Sequence, residues 1–150
     1  NIRLHGDYSD DTVRAAAQFV KADDFIESLD DGYHAKVIEG GAAFSTGQKQ
    51  LLSFARSILR EPKILVLDEA TANIDTETEQ KIQSGLANMR LGRTTIIIAH
   101  RLSTIRNSDQ VIVLDQGQII QQGEFGQLAK EKRGLFSHLL RNQMEVKMLM

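Results

Sequence analysis

Lys63-Ile64-Leu65-Val66-Leu67-Asp68-Glu69-Ala70 is an apolar run that stops at two adjacent carboxylates. Four consecutive aliphatic residues cannot alternate between an inner and an outer face. Residues 64–67 therefore read as a strand buried on both faces, the usual state of a parallel strand covered by helices. Ligands of such sheets collect at the carboxyl ends of the strands. Asp68 and Glu69 are costly there unless something cationic meets them, since an unpaired buried charge costs on the order of several kcal/mol. A hydrated metal ion would answer that cost. The alternative is a strand end whose acids simply face water.

Immediately before this strand, residues 44–62 (FSTGQKQLLSFARSILREP) have the grammar of a helix. Leu51, Ala55 and Ile58, with Leu52 and Leu59 beside them, recur at spacings of three and four and predict one buried stripe. Ser45 and Gln48 satisfy the capping-box pattern, which by itself needs no ligand. Gly47 is harder to place, because glycine inside a helix costs about 1 kcal/mol relative to alanine. A glycine there lets another object approach the free backbone N–H groups, and a helix start is a natural anion site. Both readings hold together, since the Ser45 oxygen can accept from its own helix while its proton goes to a phosphate oxygen.

After the strand, Thr76 and Glu79 form a second capping-box pattern, with Ile82, Leu86 and Met89 on the buried face of the helix it opens. Asp75 reads as one more N-terminal acid favoured by the helix dipole. A second β-branched apolar run, residues 94–99, then ends at His100. Two strands joined by a helix of about four turns make a parallel crossover, which brings His100 to the same sheet edge as Asp68 and Glu69. A strand-end histidine alone is more often structural; beside two acids it becomes a candidate for chemistry.

Further out, Ser9, Asp10 and Asp11 offer caps for a helix burying Val13, Ala16, Ala17 and Val20, and a shorter helical piece surrounds Phe25, Ile26 and Leu29. Glu39, Gly40 and Gly41 read as a flexible loop. Toward the other end, residues 102–107 read as a short helix. Residues 110–114 and 118–121 read as a hairpin around Asp115-Gln116-Gly117, and residues 123–131 and 134–144 as amphipathic helices.

Composition narrows the function classes. The chain has 150 residues, an ordinary charged fraction of 25%, a net charge of -2 and no cysteine. Disorder is not the default, disulfides and thiol catalysis are excluded, and nothing in the charge calls for nucleic acid. No apolar run approaches the roughly 18 residues of a membrane span, and no signal peptide opens the chain.

Phe44-Ser45-Thr46-Gly47-Gln48, the 64–68 run with Glu69, Ala72-Asn73-Ile74-Asp75 and AHRLSTI around His100 occur in one order and spacing. In that order they resemble the nucleotide-binding domain of ABC transporters, most closely the exporter type, over nearly the whole chain. The resemblance implies a P-loop NTPase-like α/β fold: part of an ABC ATPase core, a parallel sheet with flanking helices, plus most of the helical signature subdomain. The implied division is residues 1–62 for the signature subdomain and 63–150 for the second half of the core with C-terminal helices.

Roles carry over residue by residue as implications of the likeness. Ser45, Thr46, Gly47 and Gln48 would form the signature motif that contacts the γ-phosphate of ATP held by the opposite domain of a dimer. Asp68 would hold Mg²⁺, usually through water, and Glu69 would polarise the attacking water. Asp75 belongs to the loop that crosses the dimer interface, and His100 resembles the switch histidine on the γ-phosphate. Glu39 sits where exporters have a loop that touches the membrane domain, in a poorly matching context. The expected cofactors are ATP and Mg²⁺. The expected partners are a second nucleotide-binding domain and a transmembrane domain of the same polypeptide, on the cytoplasmic face of the cell membrane.

No GxxxxGK[ST] occurs, so the phosphate-cradling loop and its lysine are expected upstream of Asn1, and this chain alone should bind ATP weakly or not at all. The family signature usually has glycine where Thr46 stands and leucine where Phe44 stands. A β-branched residue near a phosphate suggests a weakened site and a heterodimer. Two other functions compete: a soluble, non-transport ABC ATPase, and a non-catalytic fragment that dimerises with or regulates an intact partner.

Overall fold

The computed structural model describes residues 1–37, 41–68, 74–99, 102 and 104–148, with side chains to 142. Its contacts fall into two units, Asn1–Ile96 and Ile97–Met150. The loop expected at Glu39 and Gly40 lies outside the described residues, as do Glu69 and His100.

The first unit opens with helix α1 (Asp10–Phe19), capped by Ser9, whose side chain accepts from the Thr12 N–H. Val13, Ala16 and Ala17 are its buried stripe, as the spacing predicts. Helix α2 (Asp23–Glu27) buries Ile26, and a 3₁₀ turn at Gly32–His34 follows. Helix α3 (Thr46–Ile58) is capped by the Ser45–Gln48 box, and Leu51, Leu52, Phe54, Ala55 and Ile58 are buried. After strand β1 (Ile64–Asp68), helix α4 (Thr76–Arg90) leads to strand β2 (Thr94–Ile98). The two strands are neighbours in one sheet, and the intervening helix makes this a parallel crossover. The result is a mixed α/β fold, a parallel core sheet with flanking helices beside a helical layer. Its core joins Val13 and Ala17 of α1, Leu51 and Ala55 of α3, Leu65 of β1, and Ile82 and Met89 of α4.

Close backbone approach sets the α1–α4 contact. A Cβ on Gly85 would lie 2.6 Å from the Val20 carbonyl oxygen, so only glycine lets the helices meet there. One turn on, the Asn88 side-chain amide donates to the Phe19 carbonyl at 2.7 Å, satisfying an orphan acceptor at the end of α1. Arg93 donates to the carbonyls of Pro62, Met89 and Leu91, and the Thr94 N–H donates to the Lys63 carbonyl at 3.1 Å. The start of β2 is thereby stitched to the entry of β1 and the end of α4.

In the second unit, strands β3 (Val111–Asp115) and β4 (Gln118–Gly123) pair antiparallel, with a bulge between Val113 and Leu114. Gln116 and Gly117 both have positive φ, at 47° and 77°, as a two-residue hairpin turn requires. Helix α5 (Phe125–Leu128) and helix α6 (Leu135–Met148) complete it. Val111, Leu128 and Phe136 form the core, and Phe125 meets Phe136 edge to face at 5.2 Å. The Ser137 hydroxyl donates to the Gly134 carbonyl at 2.9 Å, and the Phe136 N–H donates to Gln121 Oε1 at 2.9 Å.

Four expectations are corrected. The β1 run is not buried on both faces: Leu65 is 5% exposed, whereas Ile64 and Val66 are 62% and 63% exposed. In β2, Ile96 and Ile98 are likewise 54% and 51% exposed. Within the first unit the helical layer covers the Leu65 side only. The cap of α4 is Asp75 rather than Thr76, because its carboxylate reaches the Thr78 N–H. The described residues of the short helix expected at 102–107 form turns. The helix expected from residue 123 shrinks to α5, because β4 runs to Gly123.

Candidate functional site

Three features lie at the ends of regular elements of the first unit: the start of α3, the end of β1 and the start of α4. At the start of α3 the Ser45 backbone is extended, at φ -62° and ψ 162°. Its Oγ accepts from the Gln48 N–H at 3.2 Å, and the Ser45 N–H donates to Gln48 Oε1 at 3.0 Å. Both capping bonds are therefore made, while the hydroxyl proton stays free to donate outward. The Thr46 and Gly47 N–H groups have no partner among the described residues, as expected in the first turn of a helix. Ser45 and Thr46 are exposed, Gln48 is half-buried and Gly47 is buried. An anion arriving along the α3 axis would meet a hydroxyl, free N–H donors and the positive end of the helix dipole.

Asp68 is the last residue of β1 and is exposed. A single hard-oxygen carboxylate at a strand end fits Mg²⁺, which takes one or two protein carboxylates and completes its shell with water and phosphate oxygens. Glu69 and His100 would have to stand beside Asp68 to complete the arrangement expected from the sequence, and both lie outside the described residues. The same holds for Ala72 and Asn73.

Asp75 does more than add charge to the start of α4. Its Oδ1 accepts from the Thr78 N–H at 2.9 Å. This bond, followed by one from the Thr78 hydroxyl, holds the carboxyl below its ordinary pKa.

The starts of α3 and α4 touch each other. A Cβ built on Gly47 would lie 2.2 Å from Thr78 Cγ2 and 3.2 Å from Ile74 Cγ2. Thr78 is thus a residue that sequence reading passed over. The signal was the unexplained glycine in a first turn, but its partner lies far along the chain and no local pattern connects them.

The first unit also holds a cavity of about 470 Å³ lined by Ile2, Arg14, Phe25, Tyr33, Phe44 and Leu52, among others. None of the site residues expected from the sequence lines it. The Tyr33 hydroxyl donates to the Asp23 carboxylate, and the Arg14 guanidinium lies 4.4 Å from the Tyr33 ring centroid while pairing with Glu27 at 3.3 Å. Burial first, then the bond to Asp23, pushes the Tyr33 hydroxyl above its ordinary pKa.

The family model described as "ABC transporter" matches residues 4–72. A putative ABC transporter ATP-binding protein of Streptococcus pneumoniae is 57% identical over 128 residues, covering 85% of this chain and 22% of the relative. An uncharacterized ABC transporter ATP-binding protein of Bacillus subtilis is 52% identical over 135 residues, covering 90% of this chain and 22% of that protein. Among solved structures, a bacterial Atm1-family ABC exporter with ATP bound superposes with a TM-score of 0.79 at 44% identity, over 90% of this chain and 23% of the exporter chain. The chain thus spans about a fifth of the length of the relatives it matches. Among the described residues no helix is long and apolar enough to cross a membrane.

Proposed function

We infer from the premise that this chain is part of an ABC transporter ATP-binding domain related to the exporter type that the whole protein hydrolyses ATP to drive export through a transmembrane domain. The likeness to the ATP-bound exporter carries this reading. Within it, residues 1–62 act as the signature subdomain and residues 63–150 as the second half of the ATPase core. The protein works at the cytoplasmic face of the membrane that holds its transmembrane part.

Phosphoryl transfer asks little covalent chemistry of the protein; it asks for positioned water, metal and donors aimed at the phosphate oxygens. The residues of this chain divide that work. Asp68, a hard-oxygen ligand at the end of β1, would hold Mg²⁺, which supplies charge neutralisation of the phosphates when bound. Glu69, next along the chain, orients the attacking water and accepts its proton. His100 donates toward the γ-phosphate. Ser45, with the Thr46 and Gly47 backbone, serves a second domain, aiming the hydroxyl and free N–H groups of α3 at the ATP held there, while Gln48 holds the Ser45 cap in place. Asp75 holds the start of α4 in the segment that crosses between the two domains.

The partner is accordingly a second nucleotide-binding domain. Thr46 bears on which kind. It is exposed in the first turn of α3, where the usual family residue is glycine, so its side chain crowds the phosphate approach. Because this motif completes the partner's site while Asp68, Glu69 and His100 serve the chain's own, the two sites are unequal, as in a heterodimer.

The test uses the full-length protein. Glu69→Gln is expected to leave Mg-ATP binding intact and to lower hydrolysis by about a hundredfold or more, the scale of a lost general base. Unchanged turnover would overturn the assignment.

A further inference from the structure

The buried glycine at the start of α3 is explained by this chain's own packing. Gly47 lies in a helical first turn, and its missing side chain points at Thr78: the Cβ it lacks would stand 2.2 Å from Thr78 Cγ2, 3.4 Å from Thr78 Cβ and 3.2 Å from Ile74 Cγ2. Non-bonded carbons are most favourable at about 3.5–4.0 Å, so the Thr78 methyl fills the room the glycine leaves. That direction is inward. Ser45 and Thr46, the neighbours that face solvent, are on the open side of the turn. Thr78 is fixed at its backbone too, where its N–H donates to the Asp75 carboxylate at 2.9 Å.

We propose that Thr78 is a positioning residue whose methyl group, seated against Gly47, keys the phosphate-facing start of α3 to the Asp75-capped start of α4. Close-packed contacts transmit displacement instead of absorbing it. A shift at the Ile74–Asp75 start of α4 therefore reaches Gly47, and with it the neighbouring Ser45, through one methyl contact. The state of the chain's own site is passed in this way to the hydroxyl that serves the partner's site. The inference rests on the signature role of Ser45 proposed above, and adds that Gly47 is required for the α4 contact and not for phosphate clearance.

Two substitutions at Thr78 separate its parts: Thr78→Ser keeps the hydroxyl and removes the methyl, whereas Thr78→Val does the reverse. In the full-length transporter, Thr78→Val is expected to keep kcat/KM for Mg-ATP within about twofold. Thr78→Ser should lower it about tenfold with little change in Tm, the scale of a small misplacement of a positioned group. Gly47→Ala should lower it about a hundredfold, and the double variant Gly47→Ala/Thr78→Ser should recover at least about tenfold of that loss, since the clashing methyl is gone. If Gly47→Ala stays equally inactive with serine at 78, phosphate clearance explains the glycine and the proposal is overturned. Should Gly47→Ala fail to fold, the Ser and Val pair decides: a larger loss with Val than with Ser overturns the proposal. Full turnover in Gly47→Ala would instead sink the signature reading. A Tm loss in that variant, reversed by Thr78→Ser, would then show that the contact exists without the function.

Discussion

Residues whose partners are close in sequence behave as their spacing predicts. Ser45 and Gln48 form the expected reciprocal cap, and Ser9 caps α1. Asp75 shows the limit of such reading, because the pattern Thr76–Glu79 looks equally good on paper. Only the backbone path decides which oxygen reaches the Thr78 N–H. Tyr33 could not be anticipated at all. Its bond to Asp23 and its stacking under Arg14 join three segments in space; burial and the Asp23 bond favour the neutral phenol and outweigh the opposing charge of Arg14. Its pKa is raised on folding, so the stabilisation is complete below the unfolded value of about 10 and is lost as pH rises through the higher folded value. Tyr33→Phe should therefore lower Tm at pH 9 and show a smaller deficit at pH 11. An equal deficit at both would contradict the assignment.

At the scale of elements, the periodicity of α1 and α3 located their buried faces correctly, since an apolar stripe on a helix has to face a core. For α4 the reading was incomplete. Ile82 and Met89 are buried as expected, Leu86 is half-buried, and the deepest approach is made by Gly85 against the Val20 carbonyl. Gly85→Ala weighs two effects against each other. Helix propensity would favour alanine by about 1 kcal/mol. A methyl group 2.6 Å from a backbone oxygen forces the helices apart, and overpacking of this kind costs about 1–3 kcal/mol. The clash should win, because the obstacle is backbone and cannot rotate away. Chemical denaturation is expected to give a lower midpoint for Gly85→Ala, and a gain in stability would refute the packing account. The elements misjudged from sequence were the short helix at 102–107 and the one from residue 123; Leu102, Ile105, Phe125 and Leu128 still pack on the second core, but from turns and a single helical turn after β4.

At the scale of the molecule, the open face of the β1–β2 sheet is the main departure from expectation. Ile64, Val66 and Ile96 belong to runs that suit burial, yet each is more than half exposed. Exposed contiguous apolar surface of this sort drives association. The 150-residue chain on its own should therefore self-associate in size-exclusion chromatography, and Val66→Lys should shift it toward monomer with helix content unchanged. A monodisperse monomer without the substitution would count against this. What the amino-acid sequence determined by itself was carried by local chemistry: the caps of α1 and α3, the apolar strand runs, the hairpin turn, and an order of motifs that resembles an ABC transporter ATP-binding domain. Tertiary structure alone decided which face of the sheet is covered, which oxygen caps α4, and what occupies the space beside Gly47. Those outcomes depend on contacts between residues tens of positions apart, and a one-dimensional pattern carries no distance between them.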